Sequence, residues 1–113
     1  MPAYWVYVAR CADATLYCGI AVDVAARIAE HDAGTGARYT RGRGPLAVLY
    51  RRRCATKGLA LRLEYAIKQL TRAEKTQLLA EPRRIERLVR QLKRRMTSQV
   101  GSRDKLVATS RSG

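Results

Sequence analysis

Tyr4-Trp5-Val6-Tyr7-Val8-Ala9-Arg10, followed after Ala12-Asp13-Ala14-Thr15 by Leu16-Tyr17-Cys18-Gly19-Ile20, is the stretch on which the fold of this chain turns. Both runs are rich in Val and aromatic residues and Ala12-Asp13-Ala14-Thr15 is turn-like, so the pair reads as a β-hairpin. A side-chain period of two places Trp5, Tyr7 and Ala9 on one face of the first strand, and separates Leu16 and Cys18 from Tyr17 and Gly19 in the second. Tyr7 and Tyr17 can share a face in one register, and the sequence leaves the register open. The chain has no Phe, so six Tyr and Trp5 are its whole aromatic complement, and a Tyr cluster is as natural at a site as in the core.

Downstream of the hairpin, Asp23 is placed to cap a helix running to about Ala33, with Gly34 and Gly36 ending it. Val24 and Ile28 are its apolar positions, and Arg27 and His31, four apart, lie on one face. A Gly- and Arg-rich loop over 34–45 carries Arg38, Tyr39, Thr40, Arg41 and Arg43, and the apolar run Leu46 to Tyr50 reads as a third strand. Thr56 can cap a second helix whose Leu59, Leu63, Ile67 and Leu70 form a core-facing stripe. Glu64 and Lys68 are an i, i+4 pair beside it. A third helix is expected over Arg72 to Leu79 with Thr71 as its cap, and Pro82 punctuates the chain.

Beyond Pro82, Ile85, Leu88, Val89 and Leu92 form a stripe among seven Arg and Lys residues, which predicts a basic amphipathic helix over Arg83 to Met96. The Gly/Ser/Thr-rich end after Ser98 reads as disordered. The expected organisation is therefore one domain over 1–82 and a basic helix with a disordered tail over 83–113. From Glu81 onward there are ten Lys and Arg against three acids, so this third of the chain carries +7 of the net charge of +14. Such an excess matches a protein that binds polyanions, and nucleic acid is the first partner to expect, ahead of a solvated surface or a membrane-binding patch. Cys11, Cys18 and Cys54 are odd in number, widely spaced and without a nearby His, which argues against a disulfide framework and a zinc site and predicts reduced thiols in strands. No apolar run reaches the length of a membrane span, and the start lacks the pattern of a signal peptide, so a cytoplasmic protein, monomeric and without a membrane partner, is expected.

The ordered set of Tyr7, Tyr17-Cys18-Gly19, Arg27 and His31 on a helix, Tyr39 in a basic loop and Glu64 on a later helix resembles the GIY-YIG family, also called the URI domain. Trp5-Val6-Tyr7 stands where that family has its first triplet and Tyr17-Cys18-Gly19 where it has its second. The stretch from Gly36 to Pro45 looks especially like the small stand-alone bacterial branch related to the N-terminal domain of excision-repair nucleases. The resemblance spans residues 4 to about 80. It implies an α+β sandwich, with a small three-stranded antiparallel sheet flanked by helices, and metal-dependent hydrolysis of a phosphodiester bond. The first expectation is therefore an endonuclease using Mg2+ or Mn2+ on DNA, structured or damaged, with low sequence specificity because base readout needs a recognition element that this sequence does not offer. The resemblance makes Tyr17 the general base and Tyr7 its companion near the attacking water. The chain departs from the family in having Trp5 for the first Gly, Ile20 where excision-repair members have Lys, and no Asn anywhere. Two other readings stand beside it: a non-cutting nucleic-acid-binding module of the same fold, and a basic RNA- or ribosome-associated protein whose tyrosines stack bases.

The residue chemistry is compatible with hydrolysis, which needs a nucleophilic water, a cation to absorb charge on the phosphate and a route for protons. Glu64 is the one carboxylate on the core-facing half of its helix, and Mg2+ is commonly held by a single carboxylate with waters and substrate oxygens. The alternative for Glu64 is a surface pair with Lys68. Arg27 offers a permanently charged planar fork that can grip a phosphate, or is a solvated helix Arg. His31, the only His, can take a proton or be structural. Holding a free tyrosine ionised at pH 7 costs about 4 kcal/mol. Either Arg27 and the metal offset that cost at Tyr17, or His31 relays the proton, and the relay is the favoured route. Arg38, Tyr39, Arg41, Arg43 and Lys68 are placed to hold phosphates.

Overall fold

The computed structural model describes the backbone of residues 3–106 and the side chains as far as Thr97. β1 (Tyr4–Arg10), β2 (Leu16–Ala21) and β3 (Ala47–Cys54) form one antiparallel sheet in the order β2-β1-β3. Val- and aromatic-rich β1 sits in the centre, buried on both faces. In the hairpin register Tyr7 opposes Gly19 and Ala9 opposes Tyr17, so Tyr7 and Tyr17 lie diagonally on the same face. That settles what the period-two pattern left open.

Among the described residues there are four α-helices: α1 (Val24–Asp32), α2 (Lys57–Lys68), α3 (Arg72–Ala80) and α4 (Arg83–Leu106). Each of the first three begins at the expected cap. Asp23 accepts from the Ala26 N–H, Thr56 from Leu59, and Thr71 with Glu74 makes a reciprocal capping box. α1 ends at Ala33, after which Gly34 takes a φ of +80, a conformation a Cβ disfavours.

The two sheet faces build two cores. On one, Val6, Val8 and Cys18 pack with Leu59, Leu63 and Ile67 of α2, Leu78 of α3, and Ile85, Val89 and Leu92 of α4. On the other, Tyr7, Ala9, Val24 and Leu46 are buried with Cys11, and Trp5, Tyr17, Ala21 and Ile28 pack against them. The architecture is α+β, a three-stranded antiparallel sheet with helices on both sides.

Three sequence expectations are corrected. β3 does not stop at Tyr50 but runs through Arg51-Arg52-Arg53 to Cys54. Arg51 and Arg53 stand exposed on this edge strand, while Arg52 points the other way and pairs with Glu86 of α4, so a charged run hid a strand. The boundary at Pro82 is not a boundary in packing, because Ile85 and Val89 are sealed in the same core as Leu63 and Ile67. The helix there also continues past Ser98 to Leu106, where a disordered tail was expected, and the part of that tail over 107–113 lies outside the described residues. Cys18 and Cys54 are in strands, Cys11 just beyond β1, and all three are free and buried.

Candidate active site

His31 is 1% exposed and Tyr7 is fully buried, and the Tyr7 hydroxyl lies 2.9 Å from His31 Nε2. On the far side of the ring, Nδ1 lies 2.8 Å from Thr40 Oγ1, which in turn donates to the Ala37 carbonyl at 2.8 Å. The Ala37 N–H also donates to Nδ1, at 3.3 Å. The three side chains come from β1, α1 and the short 3-10 turn Arg38–Thr40, and their hydrogen bonds tie the basic loop to the sheet. Two glycines make room for them. A Cβ on Gly19 would stand 2.7 Å from the Tyr7 hydroxyl, and one on Gly36 would collide with His31 Nδ1. Gly19 is thus fixed by the Tyr7 ring crossing over its strand, a physical reason for the Gly of the second triplet.

Burial first, then the neighbouring Tyr17, pushes the Tyr7 phenol well above its ordinary value of 10, against the pull of the Arg27 guanidinium. Burial, seconded by Arg27, pushes His31 below its ordinary 6.5, so the imidazole is neutral at pH 7. This corrects the expected relay. Both His31 nitrogens are engaged, one by Tyr7 and one by Thr40, whereas Tyr17 meets His31 only ring to ring, edge-on at 5.2 Å between centroids.

Tyr17 is the half-buried phenol of the pair. Its pKa is raised by burial, while Lys68 and then Arg27 pull it down and Glu64 pushes it up. Lys68 Nζ sits 5.9 Å from the Tyr17 ring centre and 3.2 Å from Glu64 Oε2. α2 packs on the sheet face opposite the tyrosines, so Glu64 reaches the site across the edge strand β2, through Lys68. Both sequence readings of Glu64 therefore have a counterpart: it is paired with Lys68, yet at 18% side-chain exposure it is sheltered beside the phenol. The same neighbourhood holds the Cys18 thiol up at about 12, through burial and then Glu64, with Lys68 and Lys75 opposing.

Arg27 donates to Glu30 one turn along α1 at 2.6 Å, with its side chain still 37% exposed. In the loop, Tyr39 stacks on Tyr17 with ring centres 5.7 Å apart, and Arg43 lies 4.5 Å over the Tyr39 ring while pairing with Asp13 of the hairpin turn at 2.5 Å. Tyr7 is sealed and cannot stack a base, whereas Tyr39, stacked on Tyr17 and with Arg43 against its ring, stays 44% exposed. Arg43 serves as a strut of the site, while Arg38 and Arg41 are exposed. Thr40 and Asp13 went unread in the sequence, since a hydroxyl in a loop and an Asp in a turn carry their ordinary local meaning until the partner is known.

No group of three or more His, Cys, Asp or Glu side chains that could enclose a metal occurs among the described residues. Glu64 is a sheltered carboxylate paired with Lys68, and a single carboxylate with waters and phosphate oxygens is one common way a hard cation is held.

An α+β sheet of this order with paired tyrosines, a helix Arg and His, and an acid on a later helix defines the catalytic-domain class of GIY-YIG proteins. The family model for the GIY-YIG catalytic domain matches residues 3–77, and the chain belongs to that family. Its relatives are the small UPF0213 proteins. It is 49% identical over 78 residues to one from Natronomonas pharaonis, covering 69% of this chain and 92% of that protein. It is 46% identical over 90 residues to one from Vibrio cholerae, covering 78% and 89%. A solution NMR structure of the UPF0213 protein BH0048 from Bacillus halodurans is 41% identical, with a TM-score of 0.48, covering 69% of this chain and 83% of that one.

Proposed function

We propose that this chain is a divalent-metal-dependent endonuclease that hydrolyses phosphodiester bonds in DNA, structured or damaged, with little sequence preference. The observation that carries the reading is the grouping of Lys68 and its partner Glu64 beside Tyr17, with Arg27 acting on both Tyr17 and Tyr7, against the buried Tyr7–His31–Thr40 chain. A phosphate entering there meets the Arg27 fork and Lys68, both permanently or readily cationic. Arg27 and Lys68 would meet the phosphate from their present partners Glu30 and Glu64, and the Glu64 carboxylate would be the residue to hold Mg2+ or Mn2+. The cation supplies charge stabilisation at the phosphate when bound.

Tyr17 is the phenol that substrate can touch, and it takes the proton of the attacking water. Its raised pKa means that more than about 4 kcal/mol must be offset at pH 7. Lys68 and Arg27 are the protein's own contributors, since both already pull that pKa down. Tyr7 and His31 act behind it, as positioning residues. Tyr7 holds Nε2 while Thr40 and the Ala37 N–H hold Nδ1, which fixes the imidazole, and the Tyr7 oxygen can also accept from Arg27.

Incubating supercoiled, branched and single-stranded DNA, and RNA, with wild type and Glu64→Ala, with and without Mg2+, tests the reading. Metal-dependent cutting of DNA that the variant loses is the expected result. The Lys68–Glu64 contact favours one rival, a module that binds DNA with its acid neutralised and never cuts. Salt-sensitive binding by wild type with no cutting under any metal would establish that rival, and preferential action on RNA would overturn the choice of substrate.

A further inference from the structure

Where the hairpin turn meets the start of α3, Thr15, Leu16, Tyr39, Arg72 and Lys75 line a cavity of about 200 Å3. It adjoins the candidate active site by two links. Leu16 is the residue before Tyr17, and Tyr39 is the ring stacked on Tyr17. A third connection is electrostatic, because Lys75 acts on the same buried Cys18 thiol as Glu64 and Lys68.

The lining contains two cations and no carboxylate. Neither Arg72 nor Lys75 makes an ion pair among the described residues, whereas Arg27, Arg43, Arg52, Lys68 and Arg84 each do. The nearest acid on α3, Glu74, is committed to the Thr71 N–H at 2.8 Å as half of the capping box. Two cations three positions apart in the first turn of α3, at its electropositive end, are suited to an anion. Tyr39 is the one aromatic ring of the lining, and it is already engaged by Tyr17 and Arg43.

We propose that Arg72 and Lys75 form a second phosphate subsite, which holds the backbone phosphate adjacent to the scissile one on the Tyr39 side of Tyr17. The inference rests on the nucleic-acid reading given above and extends it. The subsite grips the strand through its backbone, which fixes register and carries no sequence information. Its position between the loop and α3 gives a small domain a two-point hold on a single strand.

The test is the salt dependence of binding to a fluorescein-labelled DNA duplex and to its single strand, in Ca2+ to prevent cutting, for the full chain. Arg72→Gln with Lys75→Gln is compared with Arg62→Gln with Arg95→Gln, which removes the same charge from the outer groove between α2 and α4. The slope of log affinity against log salt is expected to shrink by about 1.8 on duplex and about 1.4 on single strand for the first pair. The control pair is expected to leave it within half of that, and Lys75→Arg to restore the lost part in the background of intact Arg72. Equal shrinkage in both pairs, or none in the first, overturns the subsite while wild-type binding upholds the parent reading. Failure of wild type to bind either strand even at low salt overturns both. Unaltered thermal melting of the variants confirms that the slopes compare folded proteins.

Discussion

Tyr7 and His31 meet across the interior of the domain, phenol oxygen to imidazole Nε2 at 2.9 Å, where neither side chain exposes more than 1% of its surface. Burial of a titratable pair at such a contact ties the integrity of the site to protonation. The neutral imidazole is what the interior accepts, and charging it would bury a cation within reach of Arg27, which Glu30 and Asp32 offset only in part.

Because the folded-state pKa of His31 is depressed, the unfolded chain binds its proton first, and stability is lost as pH falls. Stability from this group is complete above the ordinary value of 6.5 and declines as pH drops from there through the lower folded-state value. Thermal melting of wild type from neutral to mildly acidic pH should show this decline, and His31→Gln should melt lower at neutral pH but lose less on acidification. Parallel curves for the two proteins would remove His31 as the cause.

Gly19→Ala sets a methyl group against the Tyr7 hydroxyl at a point where both strands are held by the hairpin register. We expect a destabilisation of about 1–3 kcal/mol, the usual range for overpacking a core. Denaturant unfolding measures it. Gly36→Ala acts on His31 instead, so its signature is a perturbed imidazole resonance with a comparable loss.

How much of this was legible before the coordinates depends on which interactions are local. Caps at Asp23, Thr56 and Thr71 and the apolar stripe of α2 were readable because a helix start and a helical face are set by residues within a turn of each other. The identities of Tyr7, Tyr17, Arg27, His31 and Glu64 came through the triplets and their resemblance to a family. Their pairings did not. The relay was assigned to Tyr17, yet a register of Tyr7 on Gly19 aims the other phenol at His31, and no sequence period reports which of two neighbouring rings an imidazole faces. The same holds for Asp32, whose carboxylate accepts the Leu46 N–H at 2.9 Å and so fixes the start of β3 from 14 residues away. A run of three arginines concealed the end of β3 because the partner that absorbs Arg52, Glu86, lies 34 residues on.

If Tyr17 must lose its proton in the reaction, the pH profile of cleavage has a defined sign. A phenol with a raised pKa ionises only at alkaline pH, so the rate should climb through the neutral range at about tenfold per pH unit. Lys68 is the largest influence holding that pKa down. Lys68→Gln should therefore move the inflection to higher pH and cut the rate at pH 7, with the deficit narrowing as pH rises. A uniform loss at all pH values would mean that Lys68 acts through substrate binding alone.

The basic amphipathic segment has a structural task that its charge conceals. Ile85 is fully buried and Val89 is 1% exposed against Leu63 and Ile67, and Glu86 receives the Arg52 guanidinium in two hydrogen bonds, at 2.7 and 2.8 Å. The bidentate pair is partly exposed and adds direction more than energy, whereas Ile85→Ala should cost about 2–5 kcal/mol, as deletion of a buried aliphatic side chain does. Ending the chain after Pro82 removes Ile85, Val89 and Leu92 together and uncovers that face of α2, so such a fragment should lose cooperative unfolding. A chain ended after Thr97 retains all three and should keep it. Calorimetry on the two fragments decides between a helix that belongs to the core and one that is appended for its charge. A folded fragment ending at Pro82 would restore the appended-helix view.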